Sequence, residues 1–350
     1  MTNIEKIQKK LIDVDALIIS SPYNRRYFTD FKSSAGIAFI TKERSYFLVD
    51  FRYIEKAKAT IKDSQCIMLT KRKEQLSEII EKENVKKIGF EDDFVTVAEM
   101  NRLKNDFPEI EFVPFSAPIL ELRTIKSEIE LDRMKRAQEI TDKGFEHIIK
   151  FIKPGMTEKE IALELEFFML KNGADALAFD SVVVSGKNSS LPHGVPGNKK
   201  IENGDFITMD FGAAIEGYCS DMTRTVAVGY VTEEMKEVYN IVLKAQLACL
   251  EKIKAGVTGI EMDKIARDII YENYEGCFGH GLGHSVGLEI HEMPAFNTVC
   301  DKVIEEGTIM TVEPGIYIEN KFGVRIEDMV YITKDGLINL TSSPKELIIL

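Results

Sequence analysis

The sequence predicts two domains, an α/β domain followed by an α+β domain that contains an internal repeat. A chain of 350 residues is long enough to form two domains, each with a core of its own. Residues 1–115 alternate short apolar runs with amphipathic stretches, which is typical of an α/β domain. Short motifs of the second half recur further along the chain in the same order, which indicates a duplicated unit.

Apolar periodicity predicts the main elements of the N-terminal domain. Strands are expected at residues 16–20, 36–41, 46–50, 87–90 and 111–115, and helices at 53–61 and 74–83. Prolines at positions 114 and 118 indicate a linker in this stretch. The first domain is therefore expected to cover residues 1–120 and the second residues 121–350.

Helix-capping signals open the second domain. Ser127 with Glu130, and Thr157 with Glu160, form two capping boxes, in which a side-chain oxygen accepts from the backbone N–H three residues later. They predict a helix over 127–152 with one apolar face, and a second helix that ends near Gly173.

Composition excludes several classes of function. Acidic residues outnumber basic ones 57 to 45, giving a net charge of −12, which argues against nucleic-acid binding. No apolar run reaches the roughly 18 residues that a membrane helix needs, and the N-terminus lacks a secretory signal. The five cysteines are widely spaced without a CxxC pair, so we expect free thiols in a reducing cytoplasm.

The repeat places acidic residues at equivalent positions. Three pairs of segments match in the same order: 152–157 with 253–258, 193–196 with 291–294, and 204–212 with 307–315. Within the last pair, Asp210 of the first copy corresponds to Glu313 of the second. A domain with pseudo-two-fold symmetry is expected to bring these two carboxylates close to its axis.

A hairpin around Asp210 suggests a metal pair. If its turn centres between Ile215 and Glu216, Asp210 lies opposite Asp221, and directly opposed like charges are destabilising. A dinuclear centre would offset this repulsion, because its ions need bridging carboxylates. The alternative is a solvated hairpin with two outward acids, which the apolar residues around Asp210 disfavour.

The second half supplies another carboxylate pair. Glu313 and Glu327 both lie in apolar, strand-like stretches, and buried carboxylates are normally paired or bound to metal. The four acids together carry a charge that two divalent cations would balance.

Histidine usage adds a second ligand type. Of five histidines, three (His280, His284 and His291) lie in one glycine-rich run, and His193 lies in another loop-like segment, whereas His147 lies within a predicted helix and is interpreted as structural. One imidazole with four carboxylates is an oxygen-rich ligand set, which favours Mn²⁺, with Co²⁺, Fe²⁺ and Zn²⁺ as alternatives.

Residues 280–292, HGLGHSVGLEIHE, resemble the signature of the pita-bread metallopeptidases throughout, specifically of their proline-peptidase branch. That branch comprises Xaa-Pro aminopeptidase and Xaa-Pro dipeptidase, or prolidase. The resemblance covers essentially the whole chain. It implies a creatinase/prolidase-like N-terminal domain, a pita-bread catalytic domain and a homodimer.

The resemblance also implies which residues form the site. Its metal ligands would be Asp210, Asp221, His284, Glu313 and Glu327. Asp221 and Glu327 would bridge two ions, Asp210 would complete one, and His284 and Glu313 would complete the other.

Further roles follow from the same resemblance. Glu313 would act as the proton acceptor, and His193 and His291 would hydrogen-bond the substrate carbonyl and the tetrahedral intermediate. His280 would line the pocket for the proline ring. Arg325 would hold loops or a substrate carboxylate, or else form an ion pair with a ligand acid.

The activity implied is metal-dependent hydrolysis of an N-terminal Xaa-Pro bond, whose tertiary amide general peptidases handle poorly. An aminopeptidase P acting on longer peptides is expected, and a prolidase acting only on dipeptides is the alternative. The choice depends on how far the N-terminal domain, expected from a neighbouring subunit, blocks the pocket. Methionine aminopeptidase and a catalytically silent binding protein of this fold are weaker alternatives.

Overall fold

The computed structural model describes residues 1–350, which form two compact units, Met1–Arg123 and Thr124–Leu350. Residues 114–118 are not the linker that their prolines indicate. A strand runs to Pro114, and a helix, Ser116–Thr124, follows almost at once. Pro118 lies in the first turn of that helix, where its missing N–H removes no helical hydrogen bond.

The first unit is a six-stranded mixed sheet with helices. The strands are β1 Ala16–Ile19, β2 Ile37–Thr41, β3 Ser45–Val49, β4 Gln65–Met68, β5 Lys87–Phe90 and β6 Glu111–Pro114, in the spatial order β4-β3-β2-β1-β5-β6. The helices are α1 Asn3–Gln8, α2 Pro22–Thr29, α3 Ile54–Thr60, α4 Arg72–Lys82, α5 Val97–Asp106 and α6 Ser116–Thr124.

Five of these six strands match the expected ones within a residue or two. The sequence analysis missed β4, which pairs only with β3 at the edge of the sheet and whose side chains are partly or fully exposed. Its apolar run, at residues 66–69, is short and shows no alternation with polar residues that would distinguish it as a strand.

The second unit contains four longer helices, α7 Glu128–Phe151, α8 Glu158–Lys171, α9 Glu233–Lys252 and α10 Gly259–Tyr271. Both expected capping boxes are present, at Ser127 and Thr157, and a third opens α10 at Thr258. The apolar face predicted for the first helix is buried as expected. None of the helices combines the length and apolar character needed to cross a membrane.

The strands of the second unit are short. They are β7 Ala176–Leu177, β8 Val182–Ser185, β9 Phe206–Phe211, β10 Ala213–Ile215, β11 Tyr218–Cys219, β12 Met222–Ala227, β13 Gly283–Ser285, β14 Glu292–Phe296, β15 Ile309–Val312, β16 Gly315–Ile318, β17 Phe322–Arg325, β18 Asp328–Ile332 and β19 Leu337–Asn339, with a 3₁₀ turn at Gly186–Ser190.

The duplication predicted from the motifs is visible in the strand pairing. In the first half β9 lies between β8 and β12, and in the second half β15 lies between β13 and β18. Each half also carries a hairpin, β10–β11 or β16–β17, between its two long strands. The matching bridges Thr157–Lys200 and Thr258–Val303 lie at the start of the second helix of each half. The two helix pairs thus lead into equivalent strands.

The hairpin after Asp210 differs in register from the prediction. Its turn residues are Glu216 and Gly217, which both have positive φ, as a two-residue type I′ turn requires. Asp210 therefore pairs with Thr223 and not with Asp221. A shift of two residues keeps both carboxylates on one face of the hairpin. They become diagonal neighbours instead of directly opposed ones.

Replacement of Gly212 by alanine should destabilise the protein by on the order of 2 kcal/mol or more. A methyl group there would lie 1.9 Å from the carbonyl oxygen of Ser220, so the backbone beside the carboxylates must shift. Gly336→Ala is the matched control, because nothing lies within 4 Å of a methyl at that position. Urea unfolding measures both. Equal stability of the two variants would show that the close approach at Gly212 is not a constraint.

Candidate metal centre

A cavity of about 600 Å³ lies in the second unit. All nine residues that the sequence analysis singled out line it: His193, Asp210, Asp221, His280, His284, His291, Glu313, Arg325 and Glu327. His147 lies elsewhere, where it bonds to Glu164 and stacks on Phe168. The structure therefore brings together residues that are up to 134 positions apart in the chain, from His193 to Glu327.

The duplicated strands supply the carboxylates. Asp210 lies on β9 and Glu313 directly follows β15, its equivalent in the second half. Asp221 immediately precedes β12, and Glu327 immediately precedes β18. Each half thus contributes two acids. One lies in or directly after the central strand, β9 or β15, and the other lies directly before the strand that pairs with it, β12 or β18.

Three of these residues form a compact cluster. Ligand atoms of Asp221, His284 and Glu327 all lie within 4.8 Å of one another. His284 Nε2 lies 3.7 Å from Asp221 Oδ2 and 3.4 Å from Glu313 Oε1. Both distances exceed the usual range of an N–H···O hydrogen bond, so the imidazole and the carboxylates do not satisfy one another directly.

A backbone hydrogen bond and burial favour the neutral form of His284. Its Nδ1 lies 3.1 Å from the carbonyl oxygen of Ser285, and donation to that oxygen leaves the lone pair of Nε2 facing the carboxylates. Burial, together with the nearby ring of His291, lowers the pKa of His284 to about 4. The imidazole is consequently unprotonated at neutral pH.

The carboxylates are held in an unfavourable electrostatic environment. Burial is the first cause that raises the pKa of Asp221 and of Glu327, and repulsion by the neighbouring carboxylates adds to it. Burial likewise raises the pKa of Glu313 to about 8, partly offset by the positive charge of Arg325. Without cations, these groups gain protons in preference to carrying charge.

Two threonine hydroxyls, which the sequence analysis missed, orient the acids. Thr223 Oγ1 donates to Glu327 Oε2 at 2.7 Å, and Thr311 Oγ1 donates to Glu313 Oε1 at 3.2 Å. Thr311 precedes Glu313 by two positions, as residues on one face of a strand do. That spacing was readable in the sequence, although threonines are too common in strands to be selected by it alone.

Two carboxylate oxygens remain without a partner. Asp210 Oδ1 and Glu327 Oε1 are buried and accept no hydrogen bond from the protein. Buried polar atoms are almost always paired, so two orphaned oxygens in one cavity call for a cation. The site therefore has the chemical composition of a site for divalent metal ions. Its carboxylates and one neutral imidazole are the groups that would bind them.

The guanidinium of Arg325 donates four hydrogen bonds to the protein. Its Nη2 lies 2.5 Å from Asp210 Oδ2, its Nε donates to Thr223, and its Nη1 donates to Tyr317 and to the carbonyl of Pro192. Only 3% of the side chain is exposed. These contacts support the ion pair with a ligand acid, and a role in binding a substrate carboxylate stays a prediction.

The remaining histidines lie around the cluster. The ring of His291 lies 4.5 Å from that of His284 at an angle of 72°. His280 donates from Nδ1 to the carbonyl of Gly281 and accepts at Nε2 from Tyr317, while burial lowers its pKa to about 4. Both ring nitrogens of His280 are therefore occupied, which leaves the ring itself as a wall of the cavity.

Apolar residues complete the cavity, among them Phe179, Val182, Ile290 and Ala295. No pattern in the sequence distinguishes them from ordinary core residues. The cavity is thus lined by charged residues and by apolar residues, as sites for small molecules are.

Comparison with known proteins agrees with this geometry. Residues 132–334, more than half of the chain, match the model of metallopeptidase family M24, and residues 4–125 match that of the creatinase/prolidase N-terminal domain. This chain is a member of metallopeptidase family M24. It has the pita-bread catalytic domain of that family, a group of hydrolases that depend on divalent metal ions.

Several relatives align with this chain over almost its whole length. It is 40% identical to the Xaa-Pro dipeptidase of Pyrococcus horikoshii, covering 98% of this chain and 99% of the relative. The solved structure of the Xaa-Pro dipeptidase from Bacillus anthracis is 44% identical, with 99% of each chain covered and a TM-score of 0.96. The X-Pro aminopeptidase from Thermotoga maritima is 38% identical, with coverages of 98% and 100% and a TM-score of 0.94.

In the metal-free protein, the contribution of Glu313 to the free energy of unfolding should fall as the pH rises from about 4.5 to about 8, whereas His280 and His284, whose pKa values are lowered, contribute in the opposite direction below about pH 6.5. The pKa of Glu313 is raised from 4.5 to about 8 on folding, so the folded state binds more protons in this interval. Stability decreases with pH wherever the folded state binds more protons than the unfolded state.

Thermal unfolding after chelation, at several pH values, measures this slope. Glu313→Gln removes the titrating group and should make the slope shallower, as should saturating divalent metal. An identical slope in wild type and variant would mean that Glu313 carries its charge in the metal-free fold.

Proposed function

We propose that this chain is a metal-dependent Xaa-Pro dipeptidase, which hydrolyses the bond between an N-terminal residue and proline. The observation that carries the proposal is the cavity in which four carboxylates and one neutral imidazole converge, with two buried carboxylate oxygens left unpartnered. The names of the aligned relatives supply the substrate class. They favour the dipeptidase, which the sequence analysis gave as the alternative to aminopeptidase P.

Two divalent ions, with Mn²⁺ as the favoured metal, would be held by the five residues Asp210, Asp221, His284, Glu313 and Glu327. When bound, the ions would activate a water molecule and polarise the scissile carbonyl. They would also balance the charge of four carboxylates, whose pKa values are otherwise raised by burial and mutual repulsion.

Glu313 would move the proton. Its carboxylate lines the cavity and accepts only the Thr311 hydroxyl at Oε1, so Oε2 is the atom available to take a proton from the attacking water. The same carboxylic acid would then protonate the departing proline nitrogen. A tertiary amide nitrogen leaves as a strongly basic amine, so this proton transfer is needed for bond cleavage.

His193 and His291 would act on the carbonyl group. Both line the cavity, and hydrogen bonds from their rings would strengthen as negative charge develops on the carbonyl oxygen. His280 would form the wall against the proline ring. The side chain before proline would contact apolar lining residues of the cavity, which include Phe179 and Ile290.

Aminopeptidase P remains the second candidate because one aligned structure, from Thermotoga maritima, is named as an X-Pro aminopeptidase. A homodimer, which the family resemblance implies, bears on the choice, since a neighbouring subunit would decide how much space lies beyond the proline. The five free thiols support a reducing, cytoplasmic location.

Turnover with Mn²⁺ on an Xaa-Pro dipeptide and on an Xaa-Pro-Xaa tripeptide separates the two candidates. Cleavage of the dipeptide alone is the expected result and establishes a dipeptidase. Cleavage of the tripeptide after its first residue would replace this proposal by aminopeptidase P. If a metal-loaded protein cuts neither substrate, the assignment of proline specificity is wrong.

Asp221→Asn and His291→Ala should have separable effects. Loss of the Asp221 carboxylate, which belongs to the compact cluster with His284 and Glu327, should remove bound metal and activity together. His291→Ala should retain the metal but lower kcat by about 10²–10³-fold, because its hydrogen bond acts on the transition state. Metal analysis and steady-state kinetics measure both. A metal-loaded, active Asp221→Asn, or a His291→Ala with raised KM and unchanged kcat, would refute the respective role.

A further inference from the structure

A buried ion pair lies beside the metal centre but outside the set of residues described so far. Lys126 Nζ lies 3.0 Å from Glu292 Oε2 and 3.4 Å from Ser285 Oγ. The side chains of Lys126 and Glu292 are only 1% and 6% exposed, and Ser285 is fully buried. Burial of two charges is costly, so a pair in this position is expected to have a role that apolar residues could not fill.

The two partners of Lys126 face each other across an irregular strand pair. Ser285 of β13 pairs with Glu292 of β14, whereas the preceding residue, His284, pairs with Ala295. Two residues of β14 are therefore left over between these pairs. Such a bulge interrupts the ladder of backbone hydrogen bonds, and the ammonium group connects the strands at the interrupted step.

Each partner also directly follows a histidine of the site. His284 precedes Ser285, and His291 precedes Glu292. Successive side chains of an extended chain point to opposite sides. Both histidines accordingly line the cavity, while neither Ser285 nor Glu292 does. Lys126 thus contacts the side of these two segments that faces away from the cavity. The rings of His284 and His291, whose centroids are 4.5 Å apart, lie on the side that faces it.

Both residues of the ion pair, Glu292 and Lys126, make further contacts that hold them in place. The other carboxylate oxygen of Glu292, Oε1, accepts from the backbone N–H of Glu289 at 3.2 Å, and a methyl group on Gly287 would lie 2.6 Å from the carboxylate. The turn before His291 is therefore packed directly on this carboxylate. The backbone N–H of Lys126 donates to the carbonyl of Gly307, which fixes the lysine from the other side.

We propose that Lys126 is a positioning residue of the metal centre. Its ammonium group ties Ser285 to Glu292 and thereby sets the distance and angle between His284, as metal ligand, and His291, as hydrogen-bond donor to the reacting carbonyl. The proposal rests on the function proposed above and deepens it, because it identifies the part of the fold that couples metal binding to turnover.

Lys126→Met tests the proposal, since methionine keeps most of the length and apolar character of the lysine stem but cannot hold the carboxylate. Lys126→Arg is the conservative variant, because a guanidinium can donate to Ser285 and Glu292 together. The matched control is Lys199→Met, which breaks the ion pair with Asp205 at 2.6 Å, far in sequence from the site residues of β13 and β14.

Three measurements are made on each variant. They are the visible absorption spectrum of the Co²⁺-loaded protein, the Mn²⁺ dissociation constant by calorimetry, and kcat and KM at saturating Mn²⁺. Lys126→Met should change the Co²⁺ spectrum, weaken metal binding and lower kcat, each of the last two by about 10–100-fold, with little change in KM. Lys126→Arg should recover most of the spectrum and of kcat. Lys199→Met should lower the melting temperature only.

The proposal is overturned if Lys126→Met keeps the wild-type spectrum, metal affinity and kcat and loses only thermal stability, as the control does. If Lys126→Met fails to fold, Glu292→Gln decides, because it keeps the contact with the Glu289 N–H but removes the charge that Lys126 holds. An unchanged spectrum and kcat in Glu292→Gln would likewise exclude a positioning role.

Failure of the proposed function is recognised separately. If the wild-type protein cleaves no Xaa-Pro peptide, the proposed substrate is wrong. The Co²⁺ spectrum and the Mn²⁺ affinity of the Lys126 variants still show whether the geometry of the metal ligands depends on the ion pair.

Discussion

Repulsion among four carboxylates that share one cavity is the constraint on which the rest of the catalytic unit depends. Burial and proximity raise the pKa values of Asp221, Glu313 and Glu327, so the fold on its own does not stabilise their charged forms. Divalent cations would resolve this conflict, since coordination would replace proton uptake. Ions bound only by the folded state would stabilise it, and the same ions would supply the proposed chemistry.

The duplicated strands provide a rigid way to hold these groups together. Asp210 lies within a paired strand, and the other three acids lie directly next to the ends of paired strands, so short backbone segments connect each acid to the sheets. Donors inside the protein then orient individual oxygens. Thr223 and Thr311 donate to two of the acids, and Arg325 holds Asp210. The buried pair of Lys126 and Glu292 extends this support to the histidines.

Much of this arrangement could be predicted from the sequence because its signals are local or repeated. Capping residues such as Ser127 fix helix starts through a hydrogen bond that depends on the identity of two side chains three positions apart. The matched segments that contain Asp210 and Glu313 revealed the duplication, and acids within apolar runs indicated a metal centre. The family resemblance then implied which histidine is the ligand.

The incorrect or missing expectations have both local and tertiary causes. The prolines near residue 114 indicated a linker, but proline is tolerated in the first turn of a helix. The turn at Glu216 lies one residue later than expected, which altered the partner of Asp210 without moving it to another face. The contacts of Tyr317 and Lys126 join residues far apart in the chain, so no spacing rule selects them.

The metal content of the purified protein tests the central claim most directly. Native mass spectrometry after loading with Mn²⁺, compared with Asp210→Asn and Glu327→Gln, counts the ions held by each chain. We expect two ions in the wild-type chain and a lower number in both variants, because Asp210 Oδ1 and Glu327 Oε1 are buried oxygens that accept no hydrogen bond from the protein. A wild-type chain that folds stably at neutral pH and binds no metal would show that the carboxylates are not a metal centre.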